Sequence, residues 1–387
     1  MYTVRLKKGE ERRLLAGHPW VYANEVAAIE GKDKQGSIAS VYAADGKFVG
    51  KGYINHLSKI LVRLISRDQS ETIDKEFFRR KIASADEMRR AMGYDDNYRV
   101  VFGEGDGLSG LVVDKYGDYL SVQFLCLGTD CRKQEIVEVL VERFRPKGIY
   151  ERSDVAVREK EGLPLVKGVL YGSVPDTVTI VENGLKIGVS LAEGQKTGYF
   201  LDQKDNRAAL KRYVKGKRVL DCFSNVGGFA LNAAKHGASE VLALDISPAA
   251  VEAIAANARA NGLEVQAEQC DVFDALRRFR AENRRFDVIV LDPPAFTKSK
   301  DTVKAALRGY RDVNAAAMRL LAEGGILVSC SCSQHVSPTM FLKMLSDAAA
   351  SVGRAPVLLE YRFQGADHPC LAAGEETLYL KVAVLRF

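Results

Sequence analysis

A chain of 387 residues is long enough for two or three domains at roughly 150 residues each. Its 47% hydrophobic and 27% charged residues exclude a disordered or collagen-like chain. The net charge of +6 is unevenly spread: residues 1–70 hold 12 Lys and Arg against 7 Asp and Glu, so they carry +5 of it. A basic front end on a near-neutral body points to a nucleic-acid-binding module, with a solvated basic face as the plain alternative.

Seven cysteines, at 126, 131, 222, 270, 330, 332 and 370, form no CxxC pair. That pattern argues against a disulfide framework or a structural zinc site and for a reducing compartment. The opening MYTVRLKKGEERR is charged almost at once and lacks a signal-peptide core. No run approaches the ~18 apolar residues of a membrane span. The expectation is a cytoplasmic protein with no metal and no membrane partner.

In chain order, residues 1–70 read as a small β-barrel. Ile38–Tyr42, Phe48–Ile54 and Ile60–Ile65 are strand candidates, and Ala44-Asp45-Gly46-Lys47 is a hairpin turn. Residues 71–185 read as an α+β domain. A helix over Asp74–Met92 is expected from the period of Phe77, Phe78, Ile82, Ala85 and Met88. The Gly-rich run 102–110 is a loop with special backbone angles. Strands Leu111–Asp114 and Tyr119–Leu125 and a helix near Lys133–Phe144 follow.

From 186 to 387 strands and helices alternate. Apolar strands at Arg218–Phe223, Glu240–Asp245, Phe286–Asp292 and Gly325–Cys330 alternate with helices at Gly228–His236 and Pro248–Asn261. This is the pattern of a Rossmann-like α/β domain, whose parallel sheet binds ligands at the carboxyl ends of its strands.

Those ends carry the informative residues. Asp221 opens the turn Asp-Cys-Phe-Ser-Asn-Val-Gly-Gly, with Ser224, Asn225 and Gly227 placed to approach a ligand through backbone. Asp245, followed by Ile246, closes the second strand about twenty residues on, where a carboxylate can accept both hydroxyls of a ribose. Asp271-Val272 follows the third strand and suits an adenine. The turn lacks the Gly-x-Gly-x-x-Gly of a pyrophosphate site. A nucleoside cofactor without phosphates, S-adenosylmethionine, fits better. For one aspartate alone, a helix cap is the plain alternative.

The fourth strand ends Asp292-Pro293-Pro294-Ala295-Phe296. Proline and phenylalanine faces can stack on a base, and the carboxyl can bond its polar edge. The fifth ends Ser329-Cys330-Ser331-Cys332-Ser333-Gln334-His335, cysteines where substrate should lie. For either cysteine, packing is the alternative.

Together these residues resemble the S-adenosylmethionine-dependent 5-methylcytosine methyltransferases of large-subunit ribosomal RNA, of the RlmI type. The resemblance covers essentially the whole chain. Gly17-His18-Pro19-Trp20-Val21-Tyr22 and Gly50-Lys51-Gly52-Tyr53 resemble the family's N-terminal PUA barrel. Glu104 to Asp114 and Glu151-Arg152-Ser153-Asp154 resemble its middle domain, and Glu193 to Gln203 the entry to its class I methyltransferase domain. Asp292 to Phe296 and Ser331-Cys332-Ser333 resemble its catalytic motifs. Asn225-Val226 replaces a usual Tyr-Thr, Cys330 replaces an apolar residue, and Ala295 stands where two-cysteine relatives carry a second cysteine.

The resemblance implies transfer of a methyl group to carbon 5 of a cytosine. Cys332 is the implied nucleophile, Asp292 the carboxyl at nitrogen 3, and Pro293, Pro294 and Phe296 the base-binding residues. Ribosomal RNA is the implied partner, and a homodimer is compatible with it. The sequence assigns no release base; Lys298 and His335 are near only along the chain. Two competitors are methylation of a base nitrogen or guanine, and a non-catalytic ribosome-assembly protein. The Ser-Cys-Ser element opposes the first, and the three strand-end aspartates oppose the second.

Overall fold

A computed structural model describes residues 2–31, 36–297 and 299–387, without the side chains of Lys300 and Glu375. The chain divides into two units. One comprises 1–178, 189–201 and 366–377; the other comprises 179–188, 202–365 and 378–387.

The first unit begins with β1 (Tyr2–Leu6), α1 (Glu11–Leu15), β2 (Trp20–Tyr22), β3 (Val26–Glu30), β4 (Ile38–Tyr42), β5 (Phe48–Ile54) and β6 (Ile60–Ser66). They form one sheet in the order β2-β6-β5-β4-β1-β3, with β1 and β4 parallel. Val4, Leu14, Val41, Val62 and Leu64 fill its interior. The β4–β5 turn closes with Gly46 at φ +87°, as the sequence predicts. Gly52 is required: a methyl group there would collide with the Arg63 carbonyl on the neighbouring strand. Strand β1 alternates apolar and polar residues, Tyr-Thr-Val-Arg-Leu, with the apolar ones buried, whereas β2 and β3 lack such alternation.

The same unit continues through α2 (Lys75–Ala91), β7 (Asn97–Phe102), β8 (Leu111–Tyr116), β9 (Tyr119–Phe124), α3 (Leu127–Asp130), α4 (Lys133–Phe144), β10 (Gly148–Ser153) and β11 (Val166–Gly172). Asp74 caps α2, accepting from the Phe77 amide at 3.0 Å. The five strands order as β11-β10-β9-β8-β7. In the Gly-rich loop, Gly103, Gly107 and Gly110 take left-handed angles.

Part of the front end's positive charge turns inward. Arg63, on β6, is buried and donates to Glu161 at 2.8 Å and to Glu104 at 3.3 Å. Trp20 Nε1 donates to the same Glu104 oxygen at 3.0 Å, and Asn55 and Ser58 donate to Glu161. Lys51 is buried and bonds the Gln69 and Glu71 carbonyls. The exposed cations of this segment, among the described residues, include Lys7, Lys8, Arg12, Lys47 and Lys59.

A hairpin of β12 (Val178–Glu182) and β13 (Leu185–Val189) turns through Asn183 and Gly184, both at positive φ. The second unit then holds α5 (Lys204–Ala209), β14 (Arg218–Cys222), α6 (Gly228–Lys235), β15 (Glu240–Asp245), α7 (Pro248–Ala260) and β16 (Gln266–Gln269). It continues with α8 (Val272–Ala281), β17 (Phe286–Leu291), α9 (Val303–Leu320), β18 (Leu321–Ser331), α10 (Pro338–Ala350), β19 (Val357–Arg362) and β20 (Lys381–Arg386). Its seven-stranded sheet has the order β16-β15-β14-β17-β18-β20-β19.

Strands β14 to β18 run parallel, and β20 lies antiparallel between β18 and β19. Two apolar clusters cover the two faces. One is built on Leu220, Leu244, Ile289 and Leu327, the other on Val219, Val241, Val290 and Val328. Burial on both sides is why these strands read as unbroken apolar runs. Because the strands are parallel, every one of the expected strand-end motifs reaches the same edge of the sheet. Among the described residues no helix is long and apolar enough to cross a membrane.

Candidate active site at the carboxyl edge of the seven-stranded sheet

The turn from β14 into α6 is conformationally constrained. Phe223 and Asn225 adopt φ of +63° and +53°, and Gly227 lies at +91°. Two non-glycine residues in this region within three positions mark a backbone held by its surroundings. What holds it is carboxylate. Asp245, at the end of β15, accepts from the Asn225 amide at 2.8 Å and from the Ser247 amide at 3.0 Å. Asp221 accepts through one oxygen from Ser224 Oγ at 2.5 Å and from the Ala230 amide at 3.0 Å.

Asp221 is fully buried, and its other oxygen has no hydrogen-bond partner. Burial pushes its pKa up to about 7, with the charges of Asp292 and Asp245 adding to the rise and the two hydrogen bonds opposing it. The position of Asp221 is therefore beneath the turn, shaping it. Asp245 is half-buried, and Ile246 beside it is 68% exposed, an apolar side chain left open at the strand edge. Val272 is buried. Asp271 is exposed and caps α8, accepting from the Asp274 amide at 3.1 Å. For Asp271 the helix-cap alternative is thus realised in the fold.

These features suit a nucleoside-bearing cofactor. A partly open carboxylate, an exposed apolar side chain and a close-approach glycine line one edge. A methyl group on Gly227 would already press on Ile254 at 3.3 Å.

On the other side of β14, the ends of β17 and β18 bring the remaining motifs together. Cys332 Sγ lies 4.0 Å from the Pro293 carbonyl oxygen. The Asp292 amide reaches the Cys222 carbonyl at 3.4 Å. Pro293 is buried, Pro294 is exposed, and Phe296 is half-buried with its ring 4.5 Å from that of Tyr310. Lys298 lies outside the described residues.

The two neighbouring cysteines differ. Cys330 is fully buried among Val328, Val382 and Val384, and burial pushes its thiol well above the ordinary range. Cys332 is half-buried at the strand end.

Sequence reasoning missed two residues here. Tyr310, from α9, is buried and shares a 2.9 Å hydrogen bond with Ser333 Oγ. Burial raises its pKa to about 12. Lys381, from β20, is fully buried and donates to the Ser333 carbonyl at 2.7 Å and the Tyr379 carbonyl at 2.8 Å. Neither belongs to a local motif. Tyr310 sits in a helix pattern like any core aromatic, and only the strand pairing of Ser331 with Lys381 brings the lysine to the site.

Comparison with known proteins agrees with this architecture. Residues 4–67 match the PUA-like domain and residues 166–367 match the S-adenosylmethionine-dependent methyltransferase family. A protein of Shewanella amazonensis named ribosomal RNA large subunit methyltransferase I is 44% identical, over 99% of this chain and 98% of its own. A protein of that name from Escherichia coli is 41% identical over 97% of each chain. A solved structure from Streptococcus mutans shares the fold over 100% of both chains, with a TM-score of 0.85 at 23% identity. The chain therefore belongs to the S-adenosylmethionine-dependent methyltransferases, in the family of ribosomal RNA large subunit methyltransferase I.

Proposed function

We propose that this protein methylates carbon 5 of a cytosine in large-subunit ribosomal RNA through a covalent adduct with Cys332, acting in the cytoplasm. The names of the relatives support the RNA class. One observation carries the chemistry: the thiol of Cys332 lies against the carbonyl of Pro293, in the turn whose carboxyl and rings suit a flipped base. In this reading Asp245 takes the ribose hydroxyls. Ser224, Asn225 and Gly227 line the methionine moiety above Asp221, and Ile246 and Asp271-Val272 hold the adenine. Pro293, Pro294 and Phe296 stack on the cytosine, and the barrel of residues 1–70 contributes phosphate contacts.

When bound, the cofactor supplies an electrophilic methyl group on a sulfonium. The rest is done by the chain. The Cys332 thiolate adds to carbon 6 of cytosine, and the electron pair of the 5,6 double bond is released toward carbon 5. A proton at nitrogen 3, shared with Asp292, neutralises the charge that develops there. Carbon 5 gains the methyl group, loses its proton to a base, and the restored double bond expels the thiolate.

The test uses RNA containing 5-fluorocytosine, in which carbon 5 carries no removable proton. A denaturation-resistant complex is expected with the wild type and with Cys330→Ala, and none with Cys332→Ala. The reverse pattern would make Cys330 the nucleophile. If no variant forms the complex while methylation proceeds normally, the cysteine mechanism is overturned and methylation at nitrogen is restored.

A further inference from the structure

A lysine is seldom fully buried without a counter-ion. Lys381 is such a lysine: it has no exposed surface, and its two hydrogen bonds go to neutral carbonyls. Among the described residues no carboxylate lies within 4.0 Å of its ammonium. The cost shows in its pKa, which burial lowers to about 8, while the neighbouring Cys332 raises it by favouring the ammonium. That coupling is reciprocal: a thiolate that favours the ammonium is itself favoured by it.

The geometry serves one purpose. Strand β20 pairs with the end of β18, with Lys381 opposite Ser331. From there its ammonium bonds the carbonyl of Ser333, the residue that follows Cys332. A charge held this way is fixed in place before any substrate arrives, as preorganised electrostatics requires.

We propose that Lys381 is the positioning residue for Cys332: its ammonium is the counter-ion of the thiolate, and its bond to the Ser333 carbonyl fixes the backbone beside the sulfur. For catalysis this rests on the reading of Cys332 as nucleophile, but the pairing itself stands apart from that reading. Among the described residues, the other titratable groups around the thiol do not replace it. Tyr310 and Cys330 are kept neutral by burial, Asp292 is of the wrong sign for a counter-ion, and His335 lies three residues further along.

The test is the pH profile of Cys332 alkylation by iodoacetamide in the full-length protein, followed on the Cys332 peptide by mass spectrometry. Lys381→Gln keeps a hydrogen-bond donor and removes the charge. Its alkylation midpoint should rise by a unit or more, so that the rate at pH 7 falls about tenfold or more. Lys381→Arg should recover most of that loss. An unchanged midpoint in Lys381→Gln, or a Gln variant that behaves like Arg, would reduce Lys381 to a backbone clamp and overturn the proposal.

Should Lys381→Gln fail to fold, carbon-13 NMR of labelled lysine carries the same test. Lys381 should titrate at lower pH in Cys332→Ala than in the wild type, and an unchanged titration would overturn the pairing. Failure of the cysteine mechanism is told apart by the fluorocytosine experiment, since neither measurement here requires methyl transfer.

Discussion

Gly309, in the middle of α9, lies directly against the ring of Phe296: a methyl group at Gly309 would sit 3.3 Å from Phe296 Cδ2. Glycine in a helix interior costs about 1 kcal/mol relative to alanine. The ring it accommodates is one proposed to stack on the base. Gly309→Ala should therefore raise helix stability and displace Phe296 by a few tenths of an ångström. The expected result is an unchanged or higher melting temperature, unchanged affinity for S-adenosylhomocysteine, and a several-fold rise in KM for RNA. A parallel loss of cofactor affinity would show that the ring does not act on RNA alone.

Asp245 has two tasks, holding the β14–α6 turn through the Asn225 amide and, as proposed, taking the ribose. Asp245→Ala should weaken S-adenosylhomocysteine binding about ten- to a hundredfold, as expected for losing charge-assisted hydrogen bonds of roughly 1.5–3 kcal/mol. Asp245→Asn keeps one acceptor and should recover part of the loss. Calorimetric titration checks both, and full affinity in a folded Asp245→Ala protein would remove this carboxylate from the site.

Asp221 gives stability a definite pH dependence. Its folded pKa, near 7, lies above the ordinary carboxylate range. Between about pH 4 and 7 the native state holds a proton that the unfolded chain has released. The contribution is thus fully present at low pH and is lost as pH rises through 7, by roughly 1.4 kcal/mol per unit at most. Asp221→Asn, which has no such proton, should remove this slope and gain on the wild type between pH 5 and pH 8. Urea midpoints of the cofactor-free proteins at those two pH values provide the check. Identical slopes would mean that Asp221 ionises freely in the fold.

The RNA contacts of the front end should lie on its outward cations. Replacing Lys7, Lys8 and Arg12 by Glu should weaken RNA binding and flatten the dependence of log affinity on log salt. Cofactor affinity should not change. Deleting residues 1–70 would be a poorer test, because it removes Arg63 and Trp20 and leaves Glu104 and Glu161 without those partners. An unchanged salt slope in the triple variant would assign these cations to solvent.

How much was legible in the sequence follows from where the information sits. Parallel strands buried on both faces, such as Phe286–Leu291, and capped amphipathic helices, such as Lys75–Ala91, announce themselves locally. So do motifs at strand ends, since chain order alone takes them to one sheet edge. Asn183-Gly184 is a local hairpin signal of the same kind. What one sequence window cannot reveal is pairing at long range. Lys381 meets the site through a strand partner fifty residues earlier. Arg63 and Lys51 look like surface cations until the carboxylate and carbonyls that bury them are known.

The insertion of β20 between β18 and β19 also constrains how this unit forms. Strands β18 and β19 are consecutive, yet neither bonds the other; each bonds the segment 381–386. A slot must stay open while helix α10 packs, and premature pairing of its two walls would shut the later segment out. Contacts of such large sequence separation slow folding. Amide protection along the end of β18 should accordingly appear late in refolding, together with that of β20, so that the strand that bears Cys330 and leads into Cys332 gains its final rigidity in the last cooperative step.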